Sequence, residues 1–487
     1  MLVSPKEIFT RHVGAVCAAA AVVFLSSCGS MISPSAQNSP PKTVTLDPML
    51  AGKALAEMTW RALVIATVKQ PITATRQGLA VMWHRPSVVV TGNLPAELLS
   101  EPALPDAPGT PAFERMLDAK GFPQAHEGTL KWLVDGNGFF GELDRQIAGA
   151  QKSIRAQFYI FDNDDIAVRY ADKLKARSHE IDIQVLYDDM GSATAWLSSP
   201  VTSPPPGFAP PADMKKYLEE GSEIEVRRNL NPWAVADHTK LVVIDGRTAL
   251  LGGMNIGREY YNEWHDLMVR VEGPAVGALA DVSLRKWRLA GPMGDFGLFT
   301  KVGKSKAPGA KGNSVPIRIL RTESGDAVHE IFDASILAIR GAKRRIFIEN
   351  PYFASDEIVA AVAAAAKRGV DVRVVMAAEG DSAIMDSGNL ATARVLIGAG
   401  AKVYRYPKMA HMKVMVCDDW ATVGSANLDT LSMRINSELN IAFSDKAEVE
   451  RLVNVVFRPD FARSRRIYKE HTKTPEAGFM EAVADQL

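Results

Sequence analysis

Two apolar runs, Leu241-Val242-Val243-Ile244 and Val414-Met415-Val416-Cys417, are continuous rather than alternating, the pattern of strands buried on both faces. Each is followed by a turn signal, Asp245-Gly246 or Asp418-Asp419, and by a second short apolar strand at 248–251 or 421–423. The elements upstream repeat as well. Residues 149–154 open a strand through Phe158, and 341–346 open one through Ile348, each between amphipathic helices. Further strands are predicted at 181–185 and 370–374, and again at 223–226 and 402–404. Strand, helix, strand, helix, strand, hairpin, written twice, predicts an α/β fold of two similar lobes. Each would be a mixed β-sheet sandwiched by helices, and a pseudo-twofold axis would relate them around one shared site.

The first copy is longer. Ile154 lies 84 residues before His238, whereas Ile346 lies 65 before His411, and the surplus falls at 197–213, a loop containing Pro204-Pro205-Pro206 and Pro210-Pro211. Such a loop either shapes a cleft or is a surface insertion. Lys- and Gly-rich residues 298–313 read as the linker between lobes 113–297 and 314–470, with a tail at 471–487. Ahead of them, 28–112 read as a tether and an N-terminal helical segment. The tether is the Ser/Pro/Asn/Thr-rich stretch 29–48. Residues 49–83 mix apolar positions with Lys53, Arg61, Lys69 and Arg76, which predicts helices packed on the catalytic body, the alternative being an amphipathic segment lying on a membrane.

The first 27 residues change the picture of location. Lys6 and Arg11 precede a 13-residue apolar run, Val13 to Leu25, too short to span a bilayer and typical of a signal peptide. Leu25-Ser26-Ser27-Cys28 resembles the lipobox of bacterial lipoproteins, which implies a mature chain lipid-anchored through Cys28 in the cell envelope, facing the periplasm. Gly29 in place of Asp favours the outer membrane by the same resemblance. Cys417 is then the one thiol left, read as a small buried hydrophobe. The 56 basic and 56 acidic side chains cancel, and loss of Lys6, Glu7 and Arg11 would leave a formal charge of −1, which argues against a nucleic-acid partner.

The hairpins carry the candidate chemistry. His238, Lys240 and Asp245 stand in the spacing H-x-K-x-x-x-x-D, as do His411, Lys413 and Asp418. Gly252, Gly253 and Asn255 follow the first set; Gly424, Ser425 and Asn427 follow the second, and an acid lies eleven residues past each Asn, Asp266 or Glu438. Two departures separate the copies: Gly253 stands where the other has Ser425, and the second block is one residue shorter, a loss expected in the hairpin turn. Imidazole, ammonium, amide and small-residue backbone suit a phosphate; two facing sets suit a phosphodiester.

At these residues the chain resembles the phospholipase D superfamily, and over about residues 130–460 it is most similar to bacterial cardiolipin synthases and their phospholipase D-like relatives. The resemblance implies phospholipid substrates and phosphatidyl transfer to a second lipid headgroup. A hydrolytic phospholipase D and, further off, a phosphodiesterase or nuclease remain as alternatives. It also implies a phosphohistidine on His238, with His411 as acid and then base. Lys240 and Lys413 would bind the non-bridging oxygens, helped by Asn255, Asn427, Gly253 and Ser425, with no metal or other cofactor required. Asp266 and Glu438 would each orient the histidine of its own block, and Asp245 and Asp418 would stabilise the hairpins.

Overall fold

In the computed structural model, residues 56–84, 102–197, 202–299, 303–310 and 312–472 are described. The signal segment, Cys28, the 29–48 tether and most of the 471–487 tail lie outside them. The first lobe contributes β1 (His126–Val134), β2 (Ser153–Phe158), β3 (Asp182–Asp188), β4 (Glu225–Asn229), β5 (Leu241–Ile244), β6 (Thr248–Gly252) and β7 (Leu267–Glu272). The second contributes β8 (Val315–Glu323), β9 (Val328–His329), β10 (Arg345–Glu349), β11 (Asp371–Ala377), β12 (Lys402–Tyr406), β13 (Val414–Cys417), β14 (Trp420–Gly424), β15 (Glu438–Phe443) and β16 (Arg465–Ile467).

The two sheets are one. Strands run in the order β16-β12-β11-β10-β13-β14-β15-β8-β1-β7-β6-β5-β2-β3-β4, with β9 on β8. Read outward from the β1–β8 junction, the halves have the same order, so the pseudo-twofold axis passes between β1 and β8. These pair antiparallel through His126–Gly128 and Val315–Ile317. β2, β3 and β4 are parallel to one another, as are β10, β11 and β12, while the hairpin strands are antiparallel. The sequence pattern missed β1, β8, β7 and β15, the four strands that join the lobes.

The continuous apolar runs have a cause in packing. Val242 and Ile244 enter the first lobe's own core, whereas Leu241 and Val243 enter a central core shared with the other lobe. Met415 and Cys417 likewise face the second lobe's core, and Val414 and Val416 the central one. Each such side chain removed from water contributes about 1.5–3 kcal/mol. A strand flanked by two cores has no polar face. The helix Pro111–Ala119 spans the expected start of the first lobe at residue 113, yet it buries Phe113 and Leu117 in the second lobe's core. Arg318 holds it there through Glu114 at 2.7 Å and Asp118 at 2.8 Å.

The motif aspartates act in the turns. Asp245 and Asp418 sit at φ of 54° and 53°, in the left-handed region. The turn is three residues between β5 and β6 and two between β13 and β14, so the one-residue difference falls there. Asp418 accepts from the backbone N–H groups of Lys343, Arg344 and Arg345 at 2.8, 2.8 and 3.0 Å, tying the hairpin to the entry of β10. Asp245 does the same with Gln151, Lys152 and Ser153 ahead of β2. Asp418→Ala would leave those donors without an acceptor and put a β-carbon without side-chain compensation at positive φ. A loss of about 2–4 kcal/mol is expected, read as a lowered urea midpoint at unchanged m-value.

Candidate active site

Each His-x-Lys segment enters its strand from a cross-lobe contact. Asp237 bridges to Ser437, and the His238 N–H donates to the Ser437 carbonyl at 2.9 Å. In the mirror arrangement Ala410 bridges to His265, and the His411 N–H donates to the His265 carbonyl at 2.7 Å. The residue before each acid is thus pinned beside the histidine of the other lobe. The expected pairing within a block does not form. Nδ1 of His238 lies 3.0 Å from both oxygens of Glu438, and Nδ1 of His411 lies 2.6 Å from Asp266. The two dyads are crossed, which makes the site a single one.

Six ionisable side chains, two histidines, two lysines and the two acids, meet in this site. Glu438 and Asp266 are fully buried, and burial pushes each carboxyl up to about 7, against the pull of Lys240 on the first and Lys413 on the second. His238 and His411 are held well below the usual imidazole range, by burial first and then by both lysines. That Lys413 acts on His238 and Lys240 on His411 places both ammonium groups around both rings. Each dyad shares one proton, which an ionised carboxylate keeps on Nδ1 and so leaves the Nε2 lone pair for chemistry. Each lysine makes one hydrogen bond, Lys240 Nζ to the His238 carbonyl at 2.7 Å and Lys413 Nζ to that of His411 at 2.6 Å. Further donor capacity remains on each for an anion. Burial brings Lys413 down to about 8, opposed by Asp266 and Glu438.

The small residues and amides are engaged in bonds within the protein. Asp266 occupies the space in front of Gly253, where a β-carbon would stand 2.2 Å from Oδ1, so a side chain there would expel the carboxylate. Ser425 fits in the other lobe because its hydroxyl donates to Glu438 at 2.6 Å and accepts from the Leu439 N–H. Their backbone N–H groups are already bonded, Gly253 to the Leu267 carbonyl and Ser425 to that of Leu439. Asn255 accepts from the Ile160 N–H at 2.9 Å and donates to the Tyr260 hydroxyl at 2.8 Å, so its amide braces the loop. Asn427 is buried and helps hold Asp429. Widened π-type turns, Glu259–Glu263 and Leu431–Ile435, separate each Asn from its acid and set their eleven-residue spacing.

Several positioning groups were absent from the sequence reading. Tyr159 lies edge-on to His238, with ring centroids 4.8 Å apart, and Trp264 packs on His411 at 4.8 Å. Asp188 accepts from the Asp237 N–H at 2.7 Å and from Asn231 at 2.6 Å, fixing the loop that delivers His238. Tyr159 and Asp188 stand at or just past the carboxyl ends of parallel strands β2 and β3, the edge where open α/β sheets place their sites, and that signal was legible. Behind each acid lies a buried ion cluster. Behind Asp266, His265 meets Asp135 at 2.7 Å and Asp460 at 3.1 Å, with Glu349 at 3.9 Å. Burial lowers the His265 pKa, but Asp135 and Asp460 outweigh it and raise it to about 10, so the ring is a cation. Behind Glu438, Lys286 bonds Ser437 at 2.6 Å and pairs with Glu323. His265, Glu349 and Asp460 are close enough together to hold a metal ion.

Comparison with known proteins agrees with this architecture. The family described as "Cardiolipin synthase, PLD-like domain" matches residues 143–286 and 336–459, one segment in each lobe. The major cardiolipin synthase of Bacillus subtilis (strain 168) is 31% identical over 366 residues, 72% of each chain. Cardiolipin synthase A of Pseudomonas putida (strain W619) is 30% identical over 359 residues, 70% of each. The crystal structure of phosphatidylserine synthase from Haemophilus influenzae Rd KW20 shares the fold, with a TM-score of 0.56 at 14% identity, covering 76% of this chain and 96% of that one. With both halves of the domain matched and the duplicated motif gathered into one crossed site, the chain belongs to the phospholipase D superfamily of enzymes, in its cardiolipin synthase-type PLD-like family.

Proposed function

We propose that the protein transfers a phosphatidyl group from one glycerophospholipid to the headgroup hydroxyl of another, forming cardiolipin through a phosphohistidine on His238. The crossed dyads carry this reading: two neutral imidazoles, each oriented by a buried acid from the other lobe, share one pair of lysines. Nε2 of His238 attacks phosphorus, and the bond to the departing headgroup oxygen breaks as His411 supplies its proton. In the second step His411 takes the proton of the incoming hydroxyl, whose oxygen displaces His238, so phosphorus ends with its original configuration. With both lysines protonated and both carboxyls ionised the free site sums to zero, although burial holds Lys240 well below the usual lysine range. An arriving phosphodiester anion then offsets one ammonium and allows His411 to carry the extra proton, which burial otherwise disfavours. Lys240 and Lys413 steady the non-bridging oxygens.

The acceptor decides between synthase and hydrolase, because water entering at the second step releases phosphatidic acid. Purified enzyme given phosphatidylglycerol, with and without phosphatidylethanolamine, should yield cardiolipin; phosphatidic acid alone would make it a phospholipase, and turnover of DNA in place of lipid would refute the reading. Anchoring through a lipidated Cys28 at the outer membrane, on the periplasmic side, belongs to the same proposal. No helix among the described residues is long and apolar enough to cross a membrane.

The pKa directions fix a narrow pH window. Below about pH 7 Asp266 and Glu438 take up protons and cease to orient the rings; above about 8 Lys413 loses its charge. A plot of kcat/KM against pH should therefore be bell-shaped, highest between those values, both limbs belonging to the coupled site rather than to single residues. A flat profile from pH 5 to 7 would contradict the carboxylate assignment.

A further inference from the structure

The helical segment that opens the described chain is packed with mostly small and polar residues inward, Met58 being the one large apolar exception. Residues 56–69 and the helix Pro71–His84 bury Met58, Ala66, Gln70, Ala74, Gln77 and Gly78 against the body. The remaining large apolar side chains point the other way. Trp83 is 80% exposed, Val68 76%, Met82 64% and Trp60 60%. A helix whose only partner is the protein core shows the reverse distribution.

The exposure is also concentrated. Of the fourteen large hydrophobic side chains exposed among the described residues, eight lie in 60–83, three in 293–299 and one is Trp233. These three segments are joined. Asp295 caps the Pro71–His84 helix by accepting from the Ile72 and Thr73 N–H groups at 2.7 and 3.1 Å, and Gln70 donates to the Leu289 carbonyl. Trp233 donates to the Ala74 carbonyl at 2.8 Å, and its ring lies so close to Gly78 that a β-carbon there would stand 2.9 Å away. Phe296 and Phe299, 57% and 72% exposed, continue the same apolar surface. Soluble monomers rarely expose this much connected apolar area without a partner.

We infer that this face docks on an anionic phospholipid bilayer. Three observations select that occupant. Residues 56–84 carry three basic side chains, Arg61, Lys69 and Arg76, against the one acid Glu57. Asp189 holds Arg61, but the exposed Arg76, together with Lys69, leaves this segment a positive balance that suits a negative surface. The 55 residues that precede the described chain, with Cys28 as their expected anchor, enter it at residue 56, on this face. And Trp233 belongs to the loop that Asn231 and Asp188 hold rigid and that ends at His238, so the docked face leads directly to the reacting imidazole. Interfacial docking would bring lipid headgroups to the site without the enzyme having to extract a whole lipid into water. The inference rests on the phospholipid reading for its purpose, but not for its test.

The test uses the full-length chain with Cys28→Ala, so that no lipid anchor contributes, and vesicles of phosphatidylglycerol and phosphatidylethanolamine in a flotation assay. Trp83→Ser combined with Phe299→Ser should lower partitioning by about 100-fold or more, since each large apolar side chain withdrawn from the interface is worth about tenfold or more. Turnover of a short-chain, monomeric phospholipid should stay within about twofold, because neither residue touches the site, and this also shows that the variant is folded. Val68→Ser with Met82→Ser should behave alike. Undiminished flotation of both variants would overturn the inference, as would a chain that ignores vesicles while forming a dimer that these substitutions dissociate. A chain that floats through this face yet turns over no lipid would instead overturn the functional reading alone.

Discussion

His238→Ala and His411→Ala are each expected to lower phospholipid turnover by at least about 10⁴-fold, because each removes a proton carrier or nucleophile for which the site holds no substitute. They should part company on a substrate whose leaving group departs without protonation. His411→Ala then still forms the covalent adduct on His238 and traps it, since nothing activates the second nucleophile, whereas His238→Ala forms none. Mass spectrometry of rapidly quenched, peptic peptides locates the phosphoryl group. An adduct on His411 in the wild-type protein would reverse the two roles and leave the two-step scheme standing.

The crossed dyads make the second large prediction. Glu438→Gln and Asp266→Asn should each cost about 10²–10⁴ in turnover, by losing the charge that sets the tautomer and steadies the imidazolium. Their phenotypes should follow the histidine across the lobes rather than the one in the same block. Glu438→Gln should slow adduct formation on His238 even with the activated substrate. Asp266→Asn should form the adduct at near wild-type rate with that substrate and fail in its discharge, like a weakened His411 variant. The opposite assortment would mean that each acid serves its own block. Gly253→Ser offers a control in the same neighbourhood: its side chain would displace Asp266 and should therefore mimic Asp266→Asn, even though the two lobes carry the two residue types at equivalent positions.

The duplication, the α/β alternation and the position of every motif residue follow from the order of residues. The apolar runs Leu241–Ile244 and Val414–Cys417 predict doubly buried strands because period and composition act over a few residues, and they form as such. Asp245 and Asp418 were legible as turn residues, because a hairpin turn is set by local geometry, but the strand entries they tie lie 73 to 94 residues earlier and were not. Nor were the partners of the catalytic rings. Glu438 reaches His238 across 200 residues and Asp266 reaches His411 across 145, so no local spacing encodes the choice. Similar offsets from histidine to acid within each block, 28 and 27 residues, instead suggested the same-block pairing. The choice is made by β1 and β8, whose antiparallel pairing joins the halves, and by the bridges that set Ser437 beside His238 and His265 beside His411. The same joining explains why Asn255 braces a loop and why His265 and Lys286 become cations behind the acids: burial makes every polar group find a partner, and which partner is near depends on the assembled sheet. The sequence by itself thus determined the parts and their chemistry, through interactions a few residues long. The tertiary structure alone decided which lobe's acid commands which histidine, because only the closed interface brings those groups within hydrogen-bonding distance.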